Sequence, residues 1–109
     1  MKTENGYRLR KSQSGYTEYE ILTYEVDACT VQGDPEQGLW DREFDGRFPT
    51  LTKAVAHCKK YKDSCDMFEI WEEWHIYEPN NYGYCIGDIV SQTVYQYKKG
   101  KLVGKDRLL

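Results

Sequence analysis

Two side chains have the types and the spacing for acid–base chemistry: Glu73 and His75, within the run Phe68-Glu69-Ile70-Trp71-Glu72-Glu73-Trp74-His75-Ile76-Tyr77. Two residues apart on a β-strand, they share a face, where a carboxylate can orient an imidazole and the pair can move a proton. Glu69, Trp71 and Tyr77 fall on the same alternation. Other carboxylate pairings fail on geometry. Glu72 and Glu73 point to opposite faces, and Glu69 and Glu73 lie about 13 Å apart at a strand rise of about 3.3 Å. Glycoside hydrolysis needs carboxylates roughly 5 to 9 Å apart. A small hydrolase-type enzyme using Glu73 and His75 is therefore the enzymatic reading that the residues permit. A solvent-face ion pair is the ordinary account of them.

Cys29, Cys58, Cys65 and Cys85, with His57 and His75, are the residues that could hold a soft metal. Their spacing argues against it: there is no C-x-x-C pair, and a helix end falls between Cys58 and Cys65. We expect no metal site and no cofactor, and free thiols of a reducing compartment. Cys85, the thiol nearest a loop, has acidic surroundings that raise a thiol pKa and do not activate it. Phosphate chemistry finds no support either, because Gly33 to Gly38 lacks the following Lys-Ser or Lys-Thr of a phosphate-cradling loop.

The elements that must position these residues can be read from periodicity. From Leu51, apolar positions Ala54, Val55, Cys58 and Tyr61 form one stripe of a helix that Thr50 caps and Pro49 precedes. Lys53, His57 and Lys60 are expected on the opposite side. The period then changes to two: Phe68, Ile70, Trp74 and Ile76 point to a core face interrupted by Glu72, and Glu69, Trp71, Glu73, His75 and Tyr77 point away. Glu72 requires a sheet edge or a Lys or Tyr hydroxyl, since an unpaired buried carboxylate is costly.

Tyr16 to Val31 and Asp88 to Lys98 also read as strands, with a shorter strand from Leu39 to Phe44 after the turn-forming Gly33–Gly38 segment. Glu78 to Tyr84 reads as a loop, and Lys99-Gly100 as a tight turn. The predicted fold is α+β: an antiparallel sheet of about four strands, ordered β-β-α-β-β, with one amphipathic helix packed on one face. Residues 1–109 form a single domain, with a basic arm over 1–15 and a basic tail over 104–109. One helix covers one face of such a sheet, so Glu69, Trp71, Glu73, His75 and Tyr77 should lie on the uncovered one.

The net charge of −3 conceals a strong asymmetry. Residues 16–48 hold nine acids against Arg42 and Arg47, and residues 63–88 hold seven acids against no Lys or Arg. Positive charge gathers in the helix and the termini. An aromatic face set in negative charge is a poor seat for a nucleic-acid backbone, so direct nucleic-acid binding is not expected. No apolar run reaches signal-peptide or membrane-span length, which predicts a cytoplasmic protein without membrane contact.

The acidic hairpin region, the FPTLTKA start of the helix and the FEIWEEWHIY strand give the chain a general resemblance to small accessory proteins of phages and mobile elements, including anti-CRISPR and other anti-defence inhibitors. That resemblance implies occlusion of a nucleic-acid-binding site by charge mimicry. From the residues themselves the expected function is a non-enzymatic protein-binding module: Glu69, Trp71, Glu73, His75 and Tyr77 dock on a protein partner with a basic surface, such as a nucleic-acid-binding protein. The alternative is a structural or self-associating domain whose aromatic face is a homodimer interface.

Overall fold

The computed structural model describes residues 1–31, 40–80 and 83–107. Among these residues, six strands and one helix follow in the order β1 (Leu9–Lys11), β2 (Tyr19–Val31), β3 (Trp40–Phe48), α1 (Leu51–Lys60), β4 (Met67–Asn80), β5 (Gly83–Lys98) and β6 (Lys101–Arg107). All pairings are antiparallel. The sheet order is β1-β2-β4-β5-β6, and β3 lies beside β2 on the edge that β1 also uses. β1 takes the first residues of β2, and β3 takes Tyr24 to Val31. At about 3.3 Å per residue, the 14-residue β4 matches the molecule's 46 Å long axis.

The sheet has six strands where four are predicted. β1 is three residues long, too short for any periodicity to register, and β6 is drawn from a charged segment. The predicted loop over 78–84 is largely strand, because β4 continues to Asn80 and β5 starts at Gly83. Pro79 is tolerated there because the pairing of β4 with β2 ends at Tyr77, so this part of β4 is an edge on that side. The turn predicted at Gly33–Gly38 lies outside the described residues. Lys99 and Gly100 both take positive φ, 52° and 77°, the conformation that closes a two-residue hairpin between β5 and β6.

Thr50 caps α1, its Oγ1 accepting from the backbone N–H of Lys53 at 3.2 Å. The helix buries Ala54 and Cys58 against Leu22, Tyr24, Val26, Phe68, Ile70 and Tyr97. His57, expected opposite that stripe, turns inward instead. Its ring lies among Phe48, Tyr61 and Phe68, and Asp45 meets its Nε2 at 2.6 Å. A bulge in the β2–β3 pairing accounts for this contact, since it leaves Asp45 without a partner on β2. Glu72 receives the hydroxyls of Tyr24 at 3.0 Å and Tyr95 at 3.4 Å.

α1 covers only one end of its face. At the other end the N-terminal segment supplies the cover: Arg10 lies 4.0 Å over the Trp74 ring and also binds Glu20. Among the described residues, no helix is long and apolar enough to cross a membrane.

Candidate functional site

The face of the sheet away from α1 is built by alternation on three long strands. β2 contributes Thr23, Glu25, Asp27 and Cys29, β4 contributes Glu69, Trp71, Glu73, His75 and Tyr77, and β5 contributes Ile89, Gln92, Val94 and Gln96. All five residues singled out from the sequence share this face. Their exposure differs from the expectation of an uncovered row. Glu69, Glu73 and His75 are buried, at 7%, 3% and 5% exposure. Trp71 and Tyr77 are half-buried.

The cover comes from side chains of neighbouring strands. Arg42 of β3 donates from Nε to Glu69 Oε1 at 2.6 Å, and Arg47 binds Glu25 Oε1 through Nε at 2.8 Å and also through Nη2. Gln92 of β5 donates to Glu73 Oε2 at 2.6 Å. Two long Arg side chains on an edge strand can reach over the sheet this way, their stems covering apolar surface and their heads finding carboxylates.

His75 is held at both nitrogens. Gly87 O accepts a hydrogen bond from Nδ1 at 3.1 Å, so Nδ1 carries a proton, and Thr23 Oγ1 lies 3.0 Å from Nε2. Glu73 Oε1 also faces Nε2 but stands 3.6 Å away. That oxygen is buried and accepts no hydrogen bond among the described residues. One ligand atom each from Glu25, Glu73 and His75 lies within 4.8 Å of the other two. Gly87 is a glycine for a packing reason: a Cβ there would come within 2.6 Å of Ile76 Cγ1.

Electrostatically the face is a concentrated negative region. Burial pushes the Asp27 carboxyl up from its ordinary value, and the charges of Glu69, Glu25 and Glu73 add to the rise. The Trp71 N–H works the other way on Asp27. Burial also raises Glu73, but His75 and Gln92 more than offset it and leave the carboxyl below its usual range. The Cys29 thiol is pushed up to about 12, first by burial and then by Glu69, whose Oε1 lies 3.5 Å from its sulfur. Such a thiol is no nucleophile. Cys58 is likewise buried and raised to about 12.

Glu25 is the member of this cluster that strand-by-strand reasoning misses. It sits on β2, opposite Trp71 and diagonal to Glu73. Only the β2–β4 register brings it there; the available signal is that Glu25, like Thr23, alternates onto the face opposite Leu22 and Tyr24. Around this polar centre the face is apolar and open. Phe44, opposite Asp27, is 62% exposed; Ile89, opposite His75, 37%; and Tyr84, stacked on Tyr77 at 4.7 Å, 59%. No family model, no curated protein and no solved structure matches the chain.

Proposed function

We propose that this domain is a non-enzymatic protein-binding module whose helix-free face docks on a basic surface of a partner protein, in the manner of an inhibitor that occludes a nucleic-acid-binding site. The observation that carries the reading is charge imbalance on one face: Glu25, Asp27, Glu69 and Glu73 stand against Arg42 and Arg47. Opposite charge on a partner would steer the encounter, and the exposed Phe44, Ile89 and Tyr84 together with Trp71 and Tyr77 would supply apolar contact. Glu69, Glu73 and His75 are bound internally, so in this reading they hold the face in shape and contribute field, while Asp27 and the aromatic side chains make contact. Burial also weakens the hydrolytic alternative, since a Glu73–His75 pair at 3% and 5% exposure has little access to a substrate.

Affinity capture from a source-cell lysate at low and high salt, comparing the wild type with Asp27→Lys and Phe44→Ala, tests this. The expected result is a nucleic-acid-binding protein that is retained at low salt, lost with either variant, and displaced from its nucleic acid by the purified domain. A captured protein that keeps its nucleic acid would overturn the occlusion reading. The same exposed apolar side chains support a second reading, a homodimer across this face. Sedimentation would show it as a dimer that Phe44→Ala dissociates.

A further inference from the structure

We propose that Glu25, Glu73 and His75 form a binding site for one divalent first-row metal ion of the zinc type, held by His75 Nε2 and one oxygen from each carboxylate. This stands independently of the partner reading above. Three observations meet at the site. Glu73 is 3% exposed, yet its Oε1 is aimed at Nε2 without a hydrogen bond among the described residues. The 3.6 Å between those atoms is too long for a hydrogen bond. It is close to the separation of two donors that each sit about 2.1 Å from one ion at a tetrahedral angle, roughly 3.4 Å. And Nε2 points into the cluster, facing Thr23 Oγ1 at 3.0 Å and Glu73 Oε1, because Nδ1–H is fixed on the carbonyl of Gly87.

That last contact is the outer-sphere arrangement by which proteins orient a metal-bound imidazole. Gln92 plays the same part for Glu73 Oε2, and Arg47 for Glu25 Oε1. Charge supports the assignment as well. Arg47 balances the charge of Glu25, and a dication between the two carboxylates would balance that of Glu73. The donor set of one imidazole nitrogen and two carboxylate oxygens suits zinc, cobalt(II) or manganese(II). Glu25, with a side chain 21% exposed, is the route by which the ion and a solvent ligand reach the site.

Cobalt(II) titration of the full chain, stripped of metal and kept reduced with a phosphine, is the test. We expect one equivalent bound, visible d–d bands without a thiolate-to-cobalt charge-transfer band, and competition by zinc. Glu25→Gln and Glu73→Gln should each weaken binding about tenfold or more, and Cys85→Ser should leave it unchanged. Circular dichroism checks that the variants fold, and the wild-type spectrum decides on its own if Glu73→Gln does not. No uptake at millimolar cobalt would overturn the site and leave a proton on His75 to balance Glu73, as Arg47 balances Glu25. A charge-transfer band removed by Cys85→Ser, or binding that survives both glutamine variants, would overturn it equally.

Discussion

Glu20 and Glu73 are both glutamates on interior strands, 0% and 3% exposed, and the sheet treats them differently. Glu20 receives Arg10 Nε at 2.8 Å, Ser12 Oγ at 3.3 Å, and the backbone N–H groups of Gln13 at 3.3 Å and Ser14 at 3.2 Å. Every one of these donors lies within ten residues of it in the chain. Burial pushes its carboxyl up, but the hydrogen bonds of Ser14, Arg10 and the backbone outweigh burial and hold the value down at about 2. Glu73 has Gln92 on one oxygen and, on the other, an imidazole nitrogen out of hydrogen-bond range. A buried carboxylate with a full set of local donors is part of the scaffold. One whose second oxygen lacks a donor among the described residues, while a second carboxylate and an imidazole converge on it, is where we place the proposed ion.

Breaking the complete set should have the larger effect. Arg10→Ala removes the charge from beside a fully buried carboxylate and the cation from the Trp74 ring, and should cost about 3–5 kcal/mol in urea denaturation. Arg10→Lys should recover part of that, because an ammonium supplies charge without the planar fork. A loss below about 1 kcal/mol would mean that the N-terminal segment is not a structural cover for this end of the sheet.

The same carboxylate sets an acid limit. Its folded pKa of about 2 lies below the ordinary 4.5, so the stabilisation is fully present above pH 4.5 and is lost as pH falls toward 2. The amount is about 3 kcal/mol. Glu20→Gln should flatten the stability profile across that window. Denaturation curves of the two proteins between pH 5 and pH 2 that stay parallel would refute the assignment.

On the other side of the comparison, Gly87→Ala drives a Cβ to within 2.6 Å of Ile76 Cγ1, an atom near the backbone that cannot swing aside freely. It should destabilise by about 1–3 kcal/mol. It should also move the carbonyl that fixes His75, weakening cobalt binding about tenfold. A variant that loses stability but binds cobalt as the wild type does would separate the packing role of Gly87 from its hold on the imidazole.

Much of this difference follows from sequence distance. The helix start at Thr50, the alternation from Phe68 to Tyr77 and the tyrosine partners required by Glu72 are set by neighbours in the chain or by the cost of burying charge, and they were legible. The placement of all five β4 residues on the helix-free face follows from period two alone. The burial of Glu69, Glu73 and His75 does not. It depends on Arg42 and Arg47 reaching over from β3, and on a register that puts Glu25 diagonal to Glu73. β1 escaped because three residues carry no period. The inward turn of His57 was hidden because it requires the β3 bulge that frees Asp45.

The smallest change sharpens the comparison furthest. With Nδ1–H committed to Gly87 O, an Nε2 that carries no proton takes the hydroxyl of Thr23, 3.0 Å away, as its donor. Thr23→Val keeps the shape of this fully buried side chain and removes that donor, which should cost about 1 kcal/mol in the metal-free protein. An ion on Nε2 takes the same lone pair, so the hydroxyl has no bond left to lose when metal is bound. Thermal unfolding with and without cobalt therefore gives opposite expectations for the two occupants of the cluster. If the ion binds there, the difference between Thr23→Val and wild type closes when cobalt is present, and by linkage the variant binds cobalt a few-fold more tightly. If a proton on Nε2 is what holds Glu73 in place, Thr23 accepts from that nitrogen instead, and the difference stays the same whether or not cobalt is added.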